Sequence, residues 1–394
     1  MNERVKTLIE KYKDEVVKHY HHLHQNPELS GEEKETAAYI AAELKKMGLE
    51  PTEGVGGYGV TAVIYGNGEG KCIGLRADID ALPINEATNL PFASKTPGVM
   101  HACGHDAHAA MLLGSALVLN EMKDSFKGCV KLVFQPAEEN SIDCGAKKMI
   151  ADGVLENPKV DAMIGQHIDS LSDTGYVSAK EGAISAASDR FFITLDGTSS
   201  HASRPHMGDD TIVIGAQIVN ALQTLVSRNV NPLDSAVVTV GKFTGGDRYN
   251  VLAGHTEMEG TCRNHSPKAR DIIEERMGKL VKSIAESMGA KCDFRYIRGY
   301  SPTISAPEMV ELLKETVVDL YGEKSAKIPC EPTLGGEDFS FFAEKVPSVY
   351  YRTGVHKPGT PVYSTHNEHL VVDEDAFPIG MSIMVETTLK YLAR

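Results

Sequence analysis

Hydrophobic positions recur at helical and strand spacings along most of the chain. The helical spacing predicts amphipathic helices over residues 3–25, 31–47, 106–122 and about 144–151. Short, continuous apolar runs between them predict buried strands over residues 59–65, 72–77, 129–135 and 161–166. Alternation of buried strands with helices is typical of an α/β domain.

Three polar or small residues predict where two of these helices begin and end. Ser30 followed by Glu33 has the spacing of a capping box, so Ser30 is the predicted N-cap of the helix at 31–47. Gly48 is the residue type that commonly follows a helix. Asp106 is the predicted N-cap of the helix at 106–122.

From Arg190 the pattern changes to a compact second series. It predicts strands over 191–196, 236–243, 255–263 and 290–297, with helices over 210–228 and 267–288. The order β-α-β-β-α-β is that of a ferredoxin-like module. Helices predicted at 307–321 and 374–392 then resume the first pattern. We therefore predict an α/β domain formed by residues 1–185 and 299–394, with an α+β domain, 186–298, inserted into it.

Composition narrows the classes of partner. The chain has 394 residues, with 40 basic against 54 acidic side chains and a formal net charge of −14, which disfavours nucleic acid and anionic membranes. The longest apolar stretch is too short to span a bilayer. Seven cysteines without a C-x-x-C motif, and a polar N-terminus, favour a reducing cytoplasm.

Residues 100–108 place a thiol, three imidazoles and a carboxylate directly before an apolar helix. Cys103 and His105 are two residues apart and cannot share a helix face, so a chelate that uses both needs an irregular turn, which Gly104 permits. The segment is a candidate metal site at the start of a helix. The alternative is a buried free cysteine beside solvated histidines.

Other candidate ligands follow the predicted strands. Asp78 and Asp80 come after the strand at 72–77, Glu138 and Glu139 after that at 129–135, and His167 after that at 161–166. Open α/β sheets bind ligands at the carboxyl ends of their strands, so these side chains can converge there. Two adjacent glutamates are usually a solvated surface; here one can bind metal while the other holds water.

The set of donors restricts the metal. His167 alone could be a core histidine, and His366 competes with His369. A thiolate, a carboxylate and several imidazoles suit Zn²⁺, Mn²⁺, Co²⁺ or Ni²⁺, and not Ca²⁺ or Mg²⁺. Five or six ligands exceed one tetrahedral zinc, which indicates two metal ions.

Five phrases together carry a family resemblance over essentially the full chain. They lie at residues 24–29, 74–83, 100–108, 134–139 and 335–339. The chain resembles metal-dependent amidohydrolases of the aminoacylase and carboxypeptidase superfamily. The similar branch holds hippurate hydrolases, indole-acetyl-amino-acid hydrolases and N-acetyl-diaminopimelate deacetylases. The fold that this implies is a mixed sheet between helices, with the inserted domain acting as a lid and dimerisation module.

The resemblance also implies roles for single residues. It assigns two divalent transition-metal ions per subunit to Cys103, His105, Glu139, His167 and His366, with Glu138 as general base and Asp78 orienting a ligand. In the inserted domain it implies His201 as an oxyanion-stabilising group, commonly supplied by the partner subunit of a homodimer, with Asn250 as a second lid residue. Arg263 is a candidate clamp for a substrate carboxylate, although a strand-end surface charge is an equal alternative. Gly335 and Gly336 are expected near the substrate.

Two departures from the family pattern lie around the lid residues. Ser199 and Ser200 stand before His201 where glycines are usual, and residues 251–253 follow Asn250 where a proline is usual. These changes leave the hydrolytic centre intact. They bear on substrate preference and lid closure.

The sequence therefore predicts hydrolysis of the amide bond of N-acyl amino acids or small peptide-like conjugates. Two alternatives belong to other classes: a thiol-dependent hydrolase that uses Cys103 as nucleophile, and a catalytically inactive, metal-bound binding protein. Sensitivity to chelators, with recovery on Mn²⁺ or Zn²⁺, separates these three cases.

Overall fold

A computed structural model describes residues 2–394; Met1, the first residue of the predicted first domain, lies outside them. The helices are α1 Glu3–Gln25, α2 Lys34–Lys46, α3 His105–Glu121, α4 Gly145–Ala151, α5 Thr211–Asn229, α6 Pro267–Ser287, α7 Pro307–Tyr321, α8 Ser340–Ala343 and α9 Ala376–Leu392. The strands are β1 Thr52–Val55, β2 Gly59–Tyr65, β3 Cys72–Asp78, β4 Cys129–Gln135, β5 Ala162–Asp173, β6 Val177–Ser178, β7 Gly182–Ser185, β8 Ala187–Asp196, β9 Ser200–His201, β10 Ala236–Gly245, β11 Val251–Leu252, β12 His255–Asn264, β13 Lys291–Tyr300, β14 Thr303–Ser305, β15 Ala326–Lys327 and β16 Ser348–His356.

The described residues form two compact units. The first unit comprises residues 2–184, Ile304–Glu331 and Asp338–Arg394, and the second comprises Ser185–Thr303 and Pro332–Glu337. The second unit thus includes residues 332–337, which the sequence analysis assigns to the domain at 299–394. The short strands β7 and β14 pair where the chain passes from one unit to the other.

The first unit is built on a mixed eight-stranded sheet with the order β1-β2-β4-β3-β5-β16-β6-β15. Its middle is parallel, because β3 runs parallel to both β4 and β5, and β5 runs parallel to β16. Every residue of β3 and of β4 is buried. A continuous apolar run is what a strand covered on both faces requires, and the mixed α/β fold predicted from the sequence is confirmed.

Helices pack around this sheet with their apolar faces inward. α1 packs against α3 and α9, and α7 packs against α9. On α1 the buried side chains Leu8, Val16, Tyr20 and Leu23 follow helical spacing, whereas α3 is buried over most of its circumference. A largely apolar helix such as α3 is stable only in an interior, so its first turn is held firmly against the sheet.

Two predicted helix caps are wrong. α2 begins at Lys34 with Glu33 as its N-cap, while Ser30 Oγ donates a hydrogen bond to Asp80 Oδ2 at 2.6 Å. α3 begins at His105 with Gly104 as its N-cap, and Asp106 lies in the first turn. Both predictions failed because the polar side chain is used by a tertiary contact and not by the local helix end.

Two strands also differ from their prediction. β5 continues seven residues past the predicted end at residue 166, because β16 pairs with it from Ser348 opposite Met163 to His356 opposite Asp173. No strand is predicted from the sequence at Ser348–His356. The ladder with β16 therefore supplies hydrogen bonds that local sequence does not reveal.

The second unit contains the predicted order β-α-β-β-α-β as β8, α5, β10, β12, α6 and β13. These strands form an antiparallel sheet with the order β10-β12-β8-β13. Alternate residues of β8, namely Phe191, Ile193 and Leu195, pack with the apolar faces of α5 and α6. Period-two burial on the strand and helical spacing on its partners explain why this module was predictable.

Among the described residues, no helix is both long and apolar enough to cross a lipid bilayer.

Candidate metal centre

Side chains with metal-binding atoms gather where β3, β4 and β5 lie side by side. β3 ends at Asp78, which pairs with Gln135 at the end of β4, and β3 pairs with β5 only as far as Arg76 opposite Gly165. His167 therefore lies just beyond the ladder shared with β3. The turns that follow these parallel strands leave one edge of the sheet, which brings residues distant in sequence together.

The five predicted ligands belong to overlapping groups whose donor atoms lie within 4.8 Å of one another. These groups are Cys103 with His105 and His167, Cys103 with Glu139 and His366, and His105 with Glu138 and Glu139. Because Cys103, His105 and Glu139 each belong to two groups, the three groups form one continuous set. We call Cys103, His105, Glu138, Glu139, His167 and His366 the donor cluster.

Gly104 allows Cys103 and His105 to face the same point. Gly104 adopts a left-handed conformation with φ of 85° immediately before α3. A Cβ atom at this position would lie 2.3 Å from Ile168 Cδ1, so the backbone approaches β5 closely. The irregular turn predicted from the spacing of Cys103 and His105 is therefore present, and only glycine fits it without strain.

His105 is held by one ring nitrogen and offers the other. Its Nδ1 lies 2.9 Å from the Asp80 carbonyl oxygen and 3.0 Å from Asp80 Oδ1, so Nδ1 carries the proton and donates it. Its Nε2 is buried and has no hydrogen-bond partner among residues 2–394. Burial opposes the charged ring, but the Asp78 carboxylate nearby raises the pKa of His105 well above its ordinary value. The Nδ1 hydrogen bonds give His105 the orientation that a metal-binding imidazole needs.

His167 is oriented in the same way. Its Nδ1 donates to the Ile168 carbonyl oxygen at 2.6 Å, which leaves the Nε2 lone pair 3.5 Å from Cys103 Sγ. Burial lowers the pKa of His167 well below its ordinary value and raises the pKa of the Cys103 thiol. A neutral imidazole beside a thiol is a suitable pair of ligands once the thiol has lost its proton.

The two glutamates leave β4 through a strained turn. Pro136 follows the last residue of the strand, and Ala137 adopts a positive φ of 52°. The Ala137 amide donates to Glu33 Oε1 at 2.8 Å and the Glu139 amide donates to Asp80 Oδ2 at 3.0 Å. Glu138 is buried in this turn. Two buried carboxylates from other parts of the chain thus fix the backbone on either side of Glu138.

His366 lies in the donor cluster and His369 lies outside it. His366 has a positive φ of 65°, its amide donates to the Ala102 carbonyl oxygen at 2.6 Å, and its Nε2 is 3.1 Å from Glu139 Oε1. Hydrogen bonds with Cys103 and Glu139 raise the pKa of His366 to about 10. His369 Nδ1 instead lies 3.0 Å from the Ala87 carbonyl oxygen. Strained backbone at a non-glycine residue is common at functional sites.

Asp78 lies behind the donor cluster in a fully buried ionic layer. Its carboxylate accepts from Arg76 Nη1 at 2.7 Å and pairs with His108 Nδ1 at 2.5 Å, while His108 Nε2 accepts from the Ile168 amide at 2.8 Å. Burial opposes ionisation of Asp78, but the Arg76 guanidinium beside it holds the pKa of Asp78 well below its ordinary value. Asp338 Oδ1 accepts from Arg76 Nη2 at 2.8 Å. The layer fixes Asp78 as an anion 3.7 Å from His105 Nε2.

Sequence reasoning missed the parts played by Asp80 and Glu33. Asp80 accepts hydrogen bonds from His105, from Ser30 and from the Glu139 amide, so one carboxylate joins two segments of the donor cluster. Glu33 was interpreted as part of a helix cap. The phrase at residues 74–83 contains Asp80, but its contacts follow from the fold and have no signal in the spacing.

His201 lies on β9 in the second unit, and Asn250 directly precedes β11, the strand that pairs with β9. His201 pairs with Val251, and the Ala202 amide donates to the Asn250 carbonyl oxygen at 3.1 Å. His201 is exposed, and its Nδ1 accepts from the Ser203 amide at 3.1 Å. An Nδ1 that accepts a backbone N–H carries no proton, so His201 Nε2 is the protonated nitrogen of the neutral ring.

Arg263 lies elsewhere in the second unit, on β12 opposite Ser188 and Val237. It is half-buried, and its Nη1 donates to Thr261 Oγ1 and, at 3.0 Å, to the Cys262 carbonyl oxygen. Burial lowers the pKa of Arg263 from its ordinary value. The guanidinium is therefore oriented by its own strand.

Gly335 and Gly336 have packing roles within the second unit. The Gly335 carbonyl oxygen accepts from the Ala186 amide at 2.9 Å. A Cβ atom on Gly336 would lie 2.6 Å from the Tyr300 ring and 3.1 Å from Ser188 Cβ. This close approach accounts for Gly336 whether or not substrate binds nearby.

The donor cluster fits divalent transition metals. It combines one thiol, three imidazoles and two carboxylates, the ligand types of Zn²⁺, Mn²⁺, Co²⁺ and Ni²⁺ sites. The orphaned, buried Nε2 of His105 is a further observation in favour, because an unpaired buried polar atom is costly unless it meets a partner. Residues in this arrangement could hold metal.

Comparison with known proteins decides the family. A model of peptidase family M20/M25/M40 matches residues 74–390 of the chain. The chain belongs to this family. All six members of the donor cluster of this M20 chain lie within the matched residues.

Two relatives of this M20 chain have names that describe hydrolases. It is 40% identical over 371 residues to an N-acetyl-L-cysteine deacetylase of Bacillus subtilis (strain 168), covering 94% of this chain and 86% of the relative. It is 41% identical over 310 residues to an N-acyl-L-amino acid amidohydrolase of Geobacillus stearothermophilus, covering 78% of this chain and 82% of the relative. The resemblance and the enzyme class predicted from the sequence are confirmed: the chain is a metal-dependent amidohydrolase.

A solved structure supports the same assignment. The crystal structure of a dinuclear metal binding peptidase of the M20 family from Bacillus subtilis superposes with a TM-score of 0.85 at 33% sequence identity. The match covers 98% of this chain and 99% of that one. The fold of this M20 chain is therefore that of a metallopeptidase.

Proposed function

We propose that the chain hydrolyses the amide bond of N-acyl amino acids or small peptide-like conjugates with two divalent metal ions. The observation that carries the proposal is the donor cluster, in which the buried carboxylate of Glu138 lies within 4.8 Å of the donor atoms of His105 and Glu139. The relatives named above are described as acting on N-acetyl-L-cysteine and N-acyl-L-amino acids. The reaction adds water across the amide and releases a carboxylic acid and a free amine.

The proposed ligands are Cys103, His105, Glu139, His167 and His366. Bound metal ions would polarise the amide carbonyl and make a water molecule acidic near neutral pH. The chain's own task is to present oriented donors, and the Nδ1 hydrogen bonds of His105 and His167 direct each Nε2 to the cluster. A site containing a thiolate also favours the reducing cytoplasm that the cysteine pattern predicts.

Glu138 is the proposed general base. Its carboxylate takes a proton from the attacking water and then delivers it to the nitrogen of the leaving amine. Glu138 is deprotonated again when the reaction ends. The turn around it is fixed by Glu33 and Asp80 through the Ala137 and Glu139 amides. A fixed carboxylate contributes typically about 10²- to 10⁴-fold to the rate.

The second unit is proposed to act as a lid and as the dimerisation domain of a homodimer. His201 presents a neutral ring with its proton on Nε2, the form that can donate a hydrogen bond to a developing oxyanion. Asn250, directly before β11 and bonded through its carbonyl oxygen to the Ala202 amide, is the proposed second lid residue. Arg263 is the proposed partner of the substrate carboxylate, and Gly335 and Gly336 stay predictions as substrate contacts.

A thiol-dependent mechanism at Cys103 receives less support. A nucleophilic cysteine needs a lowered pKa and access to solvent. Burial instead raises the pKa of the Cys103 thiol, and the residue as a whole is only 8% exposed. These features suit a metal ligand better than a free nucleophile.

Two matched substitutions on adjacent residues test the proposal. Glu138→Gln removes only the base, so metal content should stay at the wild-type level while kcat on N-acyl amino acids falls by about 10²- to 10⁴-fold. Glu139→Gln removes a ligand, so the purified protein should lose metal. Elemental analysis and a panel of N-acetyl, N-benzoyl and aryl-acetyl amino acids give both readouts.

A Glu138→Gln protein that retains its metal and hydrolyses these substrates at the wild-type rate would overturn the assignment of the base. Chelator treatment separates the other classes. Activity that disappears with chelator and returns with Mn²⁺ or Zn²⁺ supports the metallohydrolase. Activity that survives chelator but not alkylation would support the thiol mechanism, and no activity on any amide would support a binding protein.

A further inference from the structure

Two cysteines stand directly opposite each other at the start of neighbouring parallel strands. Cys72 is the first residue of β3 and Cys129 is the first residue of β4, and the strand register pairs them. Neighbouring strands are about 4.8 Å apart, and disulfides join Cα atoms separated by roughly 4.4–6.8 Å. Both cysteines are free thiols. The pair is thus within disulfide range without a change in the fold.

The backbone before the pair holds the two strands close. The Cys129 amide donates to the Lys71 carbonyl oxygen at 3.0 Å. A Cβ atom on Gly128 would lie 2.0 Å from that same oxygen, so the two backbone segments approach here without room for a side chain. Cys72 is fixed on its other side, because its amide donates to Asp161 Oδ2 at 2.8 Å. Neither strand start can move away from the other easily.

The two thiols differ in reactivity. They hydrogen-bond to each other, and this bond lowers the pKa of Cys129 while it raises the pKa of Cys72. Lys131, two residues along β4 and therefore on the same face as Cys129, favours the thiolate form of both cysteines. We assign Cys129 as the attacking sulfur, and the strand register places Cys72 to react with it next.

An open groove lies beside neighbours of this pair. Both thiols are nearly buried, at 3% and 5% exposure, which excludes bulky disulfide reagents. However, Lys131 and the β2 residue Tyr65 line an open groove of about 670 Å³, and Tyr65 pairs with Cys129 across the sheet. The pair lies one residue inside the surface turns that contain Lys71 and Lys127.

We propose that Cys72 and Cys129 form a reversible dithiol–disulfide site that responds to hydroperoxides. The Cys129 thiolate attacks a peroxide oxygen, which breaks the O–O bond, forms a sulfenic acid and releases hydroxide. The Cys72 thiol then attacks the sulfenic sulfur, forms the S–S bond and expels the second oxygen as water. Two thiols are oxidised by two electrons, and one hydrogen peroxide is reduced to two water molecules.

The Cys72–Cys129 pair lies away from Cys103, the thiol of the donor cluster, and needs a different test. Cys72 and Cys129 begin the strands that end at Asp78 and Gln135, a strand of seven residues or roughly 20 Å away. Because Cys103 can also be oxidised, loss of activity would not report on this pair. A direct identification of the new bond does.

Trypsin separates the pair into two short peptides, residues 72–76 and residues 128–131. The metal-loaded protein is treated with hydrogen peroxide and its intact mass is measured; a second portion is then alkylated, digested and analysed by mass spectrometry. We expect a loss of 2 Da from the intact monomer at roughly stoichiometric peroxide, a linked pair of these two peptides, and release of both on treatment with dithiothreitol. Alkylation of both peptides to the same extent as before oxidation overturns the proposal, and so does linkage only between different chains.

Single substitutions test the order of events. In Cys72→Ser the linked peptide should vanish and Cys129 should be trapped by dimedone as a sulfenic acid. In Cys129→Ser the Cys72 peptide should stay unlabelled. Cys144→Ser removes a buried cysteine outside the pair and should leave the linked peptide at its wild-type yield. Equal dimedone labelling of Cys72 and Cys129 in the two variants would contradict the assigned attacking sulfur.

Discussion

At the scale of single residues, Asp80 shows how a carboxylate that binds no metal can shape a metal site. Its Oδ1 accepts from His105 Nδ1 and its Oδ2 accepts from the Glu139 amide. Burial opposes its charge, but the hydrogen bond with His105 keeps the pKa of Asp80 below its ordinary value. Asp80 thus enters the site as an anion that increases the basicity of His105 and fixes the turn at Glu139.

Replacement of this carboxylate should weaken metal binding. Asp80→Asn keeps the shape of the side chain but removes its charge. It also places an NH₂ group against either His105 Nδ1 or the Glu139 amide, both of which donate to Asp80. We expect metal affinity to fall by about 10- to 100-fold, measured by competition with a chromogenic chelator. Asp152→Asn is the control, because this carboxylate accepts from the Gly56 amide at 2.7 Å and lies outside the donor cluster. Unchanged affinity in Asp80→Asn would show that the His105 orientation is set elsewhere.

Glu33 makes stability depend on pH. Burial raises the pKa of Glu33 from 4.5 to about 7, so between these values the folded chain binds a proton that the unfolded chain releases. The free energy of unfolding should therefore fall as pH rises from 4.5 to 7, by at most roughly 3 kcal/mol. Glu33→Gln lacks this proton and should lose that part of the slope. Urea unfolding of the metal-free protein at pH 5 and pH 8 measures the difference.

The neighbouring residue supplies the control for this measurement. Glu32→Gln changes an exposed carboxylate one position away and should retain the wild-type pH dependence. If Glu33→Gln and wild type lose stability in parallel between pH 5 and pH 8, the Glu33 carboxyl does not hold a proton in the folded chain.

At the scale of elements, prediction succeeded where burial alone determines the structure. β4 lies at its predicted residues, and β3 exceeds its prediction by one residue, because both strands are apolar throughout. The helix caps failed, since Ser30 bonds to Asp80 and Asp106 bonds to His24 Nδ1 at 2.6 Å. The partners of these polar side chains are set by contacts between segments distant in sequence, and local residue spacing does not reveal such contacts.

Gly104 is the element boundary on which the donor cluster depends most. Gly104→Ala would require a left-handed alanine, which costs about 1–2 kcal/mol, and would push its Cβ into Ile168. We expect a lower melting temperature and reduced metal content, because Cys103 and His105 flank the turn. Differential scanning calorimetry and elemental analysis measure the two effects.

Gly48 offers a matched control for this substitution. Its φ of 78° is close to that of Gly104, but no described atom lies within 4 Å of the position of its Cβ. Gly48→Ala should therefore show only the conformational cost and keep its metal. Equal metal loss in both variants would show that the close approach to Ile168 is not what positions the ligands.

At the scale of the whole molecule, the sequence predicted the members of the donor cluster better than the buried polar contacts that hold them in place. Cys103, His105 and Glu139 belong to phrases whose order identifies the family, so they could be named before any geometry was known. The contacts of Asp80, and the ionic layer of Arg76, Asp78 and Asp338, join segments up to 262 residues apart. Such contacts emerge only when the parallel strands bring their carboxyl ends to one edge of the sheet.

The proposed homodimer makes a quantitative prediction about mixing. Suppose that His201 serves the donor cluster of the partner subunit. Glu138→Gln alone and His201→Ala alone are then both inactive, but a heterodimer of the two has one site with an intact Glu138 and an intact partner His201. Random assembly at equal amounts makes half of the dimers mixed, so about a quarter of all sites should recover.

Co-expression of the two variants with different affinity tags, followed by purification through both tags, isolates the mixed dimers for assay. Half of their sites should then hydrolyse N-acyl amino acids at the wild-type rate, because each mixed dimer contains one complete site. A homodimer that carries both substitutions has no complete site and gives the baseline. Mixed dimers that stay at this baseline would place His201 in the site of its own subunit, where its exposed, Nε2-protonated ring would have to act in cis.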